Sequence, residues 1–296
     1  MLYKILGRST LNISRIGFGC MSLKPEQKNF NELIHSAIDH HINYFDTADL
    51  YDKGMNETLL GKALKGKREQ VIIATKVGNQ WRSDGNGWDW NPRKDHIMKA
   101  VEESLQRLQT DYIDLYQLHG GIIADPFDET IEAFEKLKKD GKIRFYGISS
   151  IRPNVIHEFV KRSGITSVMM QYSLLDRRPE EICFPLLLEN NIGVLARGTV
   201  AGGLLAGKPA KIYLNYSEKE VATMSKAVKM TATAGRNEAQ IAISFALQHP
   251  AVTAAVVGIR TMEQLNEAIH AADNISLSQN QLPTNSLQVN YFQEHR

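Results

Sequence analysis

Short apolar runs recur along the chain, each followed by a longer stretch whose apolar positions repeat with helical spacing. The runs are Ile16–Gly19, Tyr44–Asp46, Val71–Lys76, Ile113–His119, Ile143–Ile148, Ser167–Gln171, Gly193–Ala196 and Ala254–Gly258. Their length and β-branched content read as buried strands, and Phe30–His41, Pro92–Leu108, Asp128–Lys139 and Pro153–Arg162 between them read as amphipathic helices. This α/β alternation implies parallel βαβ units. Eight of them favour a closed (β/α)₈ barrel over an open sheet, because helices then need cover only the outside. Ahead of the first run, Tyr3–Leu6 and Leu11–Ser14 flank Gly7-Arg8 as the arms of a short N-terminal β-hairpin.

Local signals set some boundaries. Asn91-Pro92 reads as an N-cap with proline at the first helical position, and Lys138-Lys139-Asp140-Gly141 as a helix end closed by glycine. Two stretches break the even spacing: Asn79–Asn91, rich in Trp, Gly and Asp, and the glycine-bearing Gly198–Tyr216. Both read as long loops following strands, which in a barrel places them on the catalytic face. The tail from Ser276 reads as poorly ordered at its end.

Composition narrows the function classes. A chain of 296 residues with 43% apolar and 23% charged residues has ordinary globular usage, and residues 1–296 read as a single barrel domain. A formal net charge of +2 gives no electrostatic case for nucleic acid or an anionic membrane, so a small molecule is the expected partner. Cys20 and Cys183 stand far apart in no metal-binding or disulfide pattern, and a metal is not expected. No stretch has the length and apolarity of a signal core or a membrane helix, which points to the cytoplasm.

Chemistry concentrates at three successive strand ends. Asp46 closes the second run and Tyr51 follows it in the next loop; Lys76 closes the third run and His119 the fourth. Taken singly, Lys76 reads as a surface charge, His119 as a satisfied structural group and Asp46 as a helix cap. Taken together they form an acid and oxyanion site. A tyrosine with an ordinary pKa near ~10 holds its proton at neutral pH and can donate it to a developing alkoxide. An ammonium beside the phenol stabilises the phenolate, and a carboxylate keeps that ammonium charged. A neutral imidazole orients the substrate oxygen. Only a hydride source is lacking.

These residues sit in Asn43-Tyr44-Phe45-Asp46-Thr47-Ala48-Asp49-Leu50-Tyr51, Thr75-Lys76 and the block Asp111–His119. With Gly17–Met21, Gly141–Ser149, Gln171-Tyr172 and Val257–Thr261, they resemble the aldo-keto reductase superfamily in order over nearly the whole chain. The resemblance implies a (β/α)₈ TIM barrel and an NADP(H)-dependent oxidoreductase that reduces aldehydes or ketones with NADPH. It implies Asp46, Tyr51, Lys76 and His119 as the catalytic tetrad, with Tyr51 as general acid. It implies cofactor contacts from Gly19, Cys20, Met21 and Asp46, and from Ser149 and Gln171 at the nicotinamide carboxamide. Ser150 stands where many members carry Asn. Arg197 stands where many carry an aromatic residue, and its guanidinium plane either stacks on the nicotinamide or meets the pyrophosphate or substrate. Gly198, Leu204, Gly207 and Lys208 match the loop that closes over the pyrophosphate. Gly258, Arg260 and Gln264 match the adenosine end, with Arg260 at the 2′-phosphate; Ala268 stands where many members have an adenine-binding Asn.

Two other readings carry different consequences. The resemblance extends to potassium-channel β subunits, which makes an NADPH-binding, redox-sensing regulatory subunit the alternative function. A lyase using Lys76 as a Schiff-base nucleophile is opposed by Asp46, which would hold that lysine charged. Trp81 and Trp88 read as candidates for the substrate mouth, and Trp90, beside a helix start, as structural.

Overall fold

The computed structural model describes residues 1–233, 235–273, 275 and 284–296. Among them, β1 (Tyr3–Ile5) and β2 (Asn12–Ser14) pair antiparallel as the expected hairpin. Eight parallel strands then close a barrel: β3 (Ile16–Gly19), β4 (Tyr44–Asp46), β5 (Ile72–Val77), β8 (Ile113–Leu118), β9 (Ile143–Ser149), β10 (Ser167–Gln171), β11 (Gly193–Arg197) and β12 (Val252–Gly258). Each is one of the apolar runs read from the sequence. Around them lie α1 (Phe30–Asp39), α2 (Met55–Ala63), α3 (Lys94–Leu108), α4 (Phe127–Lys139), α5 (Pro153–Arg162), α6 (Cys183–Glu189), α7 (Glu218–Thr231), α8 (Glu238–Gln248) and α9 (Met262–Asp273). Two helices, α7 and α8, separate β11 from β12 where every other crossover has one.

Strand alternation sorts the core into two layers. Ile73, Tyr116, Val168, Met170 and Val194 point outward and pack beneath the helices. Tyr44, Ala74, Leu115, Met169, Leu195 and Ala254 point inward and fill the barrel. Leu6, Leu11 and Ile13 from the hairpin plug the N-terminal end of that filling. The hairpin turn requires Gly7: its φ is +53°, and a Cβ there would collide with the Thr166 carbonyl oxygen and the Gly193 amide nitrogen. Below the barrel Asp114 takes Arg68 at 2.7 Å and Arg144 at 2.8 Å.

Three expectations change. Asn79–Asn91 is not a featureless loop: β6 (Asn79–Trp81) and β7 (Trp88–Trp90) pair antiparallel within it, with Trp81 opposite Trp88. Gly85 and Gly87, both at positive φ, turn that hairpin, and Arg82 grips Asp89 across it at 2.6 Å. Helix α3 begins two residues after Pro92, capped by Arg93, because Asn91 Oδ1 accepts instead from the Arg93 amide in a local turn. Residues 276–283 of the tail lie outside the described residues. Its far end is packed rather than loose: Phe292 is buried under the Arg178 guanidinium, and the Tyr216 hydroxyl donates to the Gln288 carbonyl.

Candidate active site

The inward-facing parity of the strands runs on into the site. Tyr44 leads to Asp46, Ala74 to Lys76, Leu115 through Gln117 to His119, Met169 to Gln171 and Leu195 to Arg197, each pair two residues apart on one face. A side chain that would be barrel filling lower down is, at the C-terminal rim, a polar group facing the axis. Tyr51 comes from the loop after β4. Asp52 and Lys53, at φ +48° and +54°, and Gly54 at +82° fold that loop back sharply into α2. Such backbone costs on the order of 1–3 kcal/mol per strained residue and persists where packing over-determines it.

Lys76 is at the centre. Its Nζ donates to Asp46 Oδ2 at 2.6 Å, to the Thr47 carbonyl at 2.7 Å and to the Tyr51 hydroxyl at 3.2 Å, which engages all three of its protons. Lys76 and Asp46 side chains are 1% and 5% exposed, so the pair is screened from water. Gln117 Nε2 approaches the other Asp46 oxygen at 3.4 Å. Burial works against the ammonium, but the Asp46 carboxylate and the Tyr51 oxygen outweigh it and hold Lys76 above its ordinary pKa. Burial pushes the Tyr51 phenol upward, and Lys76 draws it part of the way back. The net direction for Tyr51 is up. The phenol therefore keeps its proton throughout the neutral range.

The His119 ring stands edge-on to Tyr51, centroids 5.8 Å apart. Burial, then the charges of Lys76 and Arg197, push its pKa down to about 3, so the imidazole is neutral. Its Nδ1 is buried without a hydrogen-bond partner among the described residues.

A cleft of about 920 Å³ extends from this centre across the barrel mouth. Its lining includes Asp46, Tyr51, Lys76 and His119 together with Arg260 and Gln264. Gly19, Met21, Ser149, Ser150, Arg197, Gly198, Lys208 and Gly258 line it as well. Two further expected cofactor residues, Cys20 and Leu204, have their side chains buried in the apolar core. Gln171 is engaged at both ends of its amide: its Nε2 donates to the Tyr213 hydroxyl at 3.0 Å and its Oε1 accepts from Arg197 Nη1 at 3.2 Å. Gln264 Oε1 likewise accepts from the Arg260 amide at 2.9 Å, and Lys208 Nζ donates to the Gly202 carbonyl at 2.8 Å. Gly207 carries positive φ in the same loop. The Arg260 guanidinium has no polar partner among the described residues, although its backbone has two.

Sequence reasoning missed the N-terminus of α8. Asn237, Glu238 and Ala239 line the cleft near Arg260, with Asn237 capping the helix and donating to Glu267 at 2.7 Å. The Asn237-x-x-Gln240 capping pattern was the available signal. Trp81 and Trp88 border a neighbouring cleft that shares Met21, Leu50 and Tyr51 with the main one. Trp90 is structural as read: its Nε1 donates to Asp125 Oδ1 at 2.8 Å. Among the described residues no cluster of potential ligands could hold a metal ion, and no helix is long and apolar enough to cross a membrane.

Comparison with known proteins agrees with this geometry. Residues 15–285 match the model of the aldo/keto reductase family. An uncharacterized oxidoreductase of Bacillus subtilis, YqkF, is 50% identical over 286 residues, spanning 94% of this chain and 93% of its own. The holo form of the aldo-keto reductase AKR11C1 from Bacillus halodurans superimposes with a TM-score of 0.94 at 46% identity, covering 100% of this chain and 99% of that one. Its apo form gives 0.85 at 44% identity over the same shares. The glycerol dehydrogenase AKR11B4 from Gluconobacter oxydans, 26% identical, gives 0.85 over 94% of this chain and 92% of its own. A strand-end cluster of carboxylate, ammonium, phenol and imidazole, on a barrel matched along nearly its whole length, places the chain in the aldo/keto reductase family of oxidoreductases that act on small carbonyl compounds.

Proposed function

We propose that the chain reduces aldehydes or ketones to alcohols with NADPH, and that Tyr51 supplies the proton. The observation that carries this reading is Lys76, which spends its three protons on Asp46, Thr47 and Tyr51 in a dry site. A lysine so held is charged and has no lone pair to attack a carbonyl, which disfavours a Schiff-base role.

The cleft suits a phosphate-bearing nucleotide. It joins the tetrad to Arg260, whose unpartnered guanidinium matches the charge and fork geometry of a phosphate. Bound there, NADPH supplies the hydride. Ser149, Ser150 and Arg197 would hold its nicotinamide end, and Lys208, Arg260 and Gln264 its phosphates and adenosine.

The chain's own residues manage the oxygen. A neutral His119 donates a hydrogen bond to the carbonyl without competing for the proton. Tyr51 transfers its phenolic proton to the alkoxide oxygen as charge builds there. Lys76 stabilises the phenolate left behind, and Asp46 fixes the ammonium. Burial of the pair keeps these interactions strong by excluding water. NADPH oxidation with a panel of small aldehydes and dicarbonyls tests the proposal. Wild type is expected to turn over and Tyr51→Phe to bind NADPH normally without turnover; full turnover by Tyr51→Phe overturns the assignment.

A further inference from the structure

Neither Asn56 nor Glu57 lines the cleft, yet both are buried, 1% and 0% exposed, at the start of α2. Each reaches a residue adjacent in sequence to a tetrad member. Asn56 Oδ1 accepts from the Thr47 hydroxyl at 2.8 Å, next to Asp46. Asn56 Nδ2 donates to the carbonyls of Cys20 at 2.9 Å and Leu23 at 3.3 Å, anchoring that grip to the segment after β3. Glu57 Oε1 accepts from the Thr75 hydroxyl at 2.5 Å, next to Lys76. Glu57 Oε2 takes Arg107 Nε at 2.7 Å. Arg107 in turn packs against Gly54 so closely that a Cβ there would overlap its Cδ.

These contacts converge on one geometric problem. Asp46, Lys76 and Tyr51 come from two strands and a strained loop, and their hydrogen bonds form only if the three backbones hold one spacing. Backbone pairing does part of this: the Thr47 amide donates to the Ala74 carbonyl at 2.9 Å and the Asp49 amide to the Lys76 carbonyl at 3.3 Å. Tyr51 is held by local backbone bonds only, its amide donating to the Ala48 carbonyl at 3.2 Å and its carbonyl accepting from the Met55 amide, and its turn leads directly into α2. We propose that Asn56 and Glu57 are positioning residues that lock the first turn of α2, and with it Tyr51, to the backbones carrying Asp46 and Lys76.

The chemistry supports a locating role over mere filling. Glu57 is a fully buried carboxylate with both oxygens engaged, and a Leu of similar size would fill the space without the desolvation cost of a charge. What the carboxylate adds is direction: it fixes Thr75 at one oxygen and the arginine behind the Tyr51 turn at the other. Displacing reacting groups by about 1 Å can cost roughly a hundredfold in rate.

Thr75→Val tests this, because it keeps the shape and removes only the hydroxyl that Glu57 grips; Thr75→Ser restores it. This inference rests on the proposed reductase activity, so two readouts are paired. In turnover, Thr75→Val is expected to lower kcat about tenfold or more with KM and NADPH affinity within about twofold, and Thr75→Ser to recover most of the loss. Without turnover, the ¹³Cζ resonance of Tyr51 at neutral pH, identified by its absence in Tyr51→Phe, reports the phenol's contact with Lys76. The other charged or titratable groups facing Tyr51 are Asp46, His119, Arg197 and Tyr44, and none is altered. The resonance is expected to shift in Thr75→Val and return in Thr75→Ser. A lower melting temperature with unchanged kcat and an unmoved resonance overturns the inference. A shifted resonance in a protein that oxidises no NADPH with any carbonyl sustains the positioning role and defeats the reductase reading. Should Thr75→Val not fold, Thr47→Val removes the Asn56 grip, and the same two readouts decide.

Discussion

Asp46→Asn removes one negative charge and leaves a side chain of almost the same shape beside Lys76. The wild-type contact is 2.6 Å between groups 1% and 5% exposed. Removing one partner of such a buried pair costs about 3–5 kcal/mol. Lysine can relieve that cost by shedding its proton, so loss of the Asp46 charge moves the Lys76 pKa downward, the direction in which burial already pushes it. The sign follows from the charge. In wild type Lys76 is held above its ordinary value and stays charged through neutrality. In the variant burial is no longer opposed by the carboxylate, so the amine gives up its proton at lower pH than in wild type. A neutral amine no longer draws the buried Tyr51 phenol downward, so the donor weakens as pH rises. Proton donation of this kind is worth about 10²–10⁴-fold. The kcat of Asp46→Asn is therefore expected closest to wild type at weakly acidic pH and lower by about a hundredfold at weakly alkaline pH. A pH series of kcat, with melting curves to confirm folding, measures this. A variant whose kcat parallels wild type on both sides of neutrality would refute the reasoning, because Asp46 would then not be what keeps Lys76 charged.

Three other outcomes are expected. Arg260→Ala loses one charge-assisted contact worth about 1.5–3 kcal/mol, so NADPH binding should weaken by about tenfold to a hundredfold while NADH binding barely moves, as read by nucleotide fluorescence titration. Equal losses for both nucleotides would remove Arg260 from the 2′-phosphate. For His119, the folded pKa lies near about 3, below the ordinary histidine value. The unfolded chain thus binds the extra proton first, and the stability this neutral histidine contributes is complete above pH ~6.5 and is lost as pH falls toward ~3. His119→Gln should accordingly lose less stability than wild type on acidification, as followed by urea unfolding at several pH values. Gly7→Ala places a Cβ against three backbone atoms at φ +53° and should cost roughly 2–4 kcal/mol in urea unfolding, with kcat unchanged.

Much of this molecule was legible in its sequence, for reasons that also mark where legibility ends. All eight barrel strands appeared as apolar runs because a parallel strand buried on both faces carries little polar interruption. The clustering of Asp46, Tyr51, Lys76 and His119 was legible because three polar residues ended three consecutive runs. The same two-residue parity that puts Tyr44 and Ala74 inside places Asp46 and Lys76 at the rim. Other features depended on contacts between distant segments. The β6–β7 pairing was hidden because Asp84-Gly85-Asn86-Gly87 signals a loop, while its pairing rests on Arg82–Asp89 and the facing Trp81 and Trp88. Cys20 was read as lining the cofactor site from its place in a motif, but the turn at Cys20–Ser22 directs its thiol into the core and leaves Met21 on the cleft. No sequence pattern singled out Asn56 or Glu57. Their partners lie 9 and 18 positions away, and only the fold brings them together. The net direction of the Tyr51 pKa was not legible for a similar reason, since burial depends on everything packed around the phenol and not on the lysine alone.

The central claim is that a hydride reaches the carbonyl carbon while Tyr51 protonates the oxygen. NADPH deuterated at the transferable position, incubated with a reducible aldehyde and each enzyme form, tests it through mass spectrometry of the alcohol. Wild type should give alcohol carrying one deuterium on the carbinol carbon, and Tyr51→Phe, with nucleotide affinity intact, should give none above background. Equal deuterated product from both forms, or wild-type alcohol without deuterium, would contradict the account.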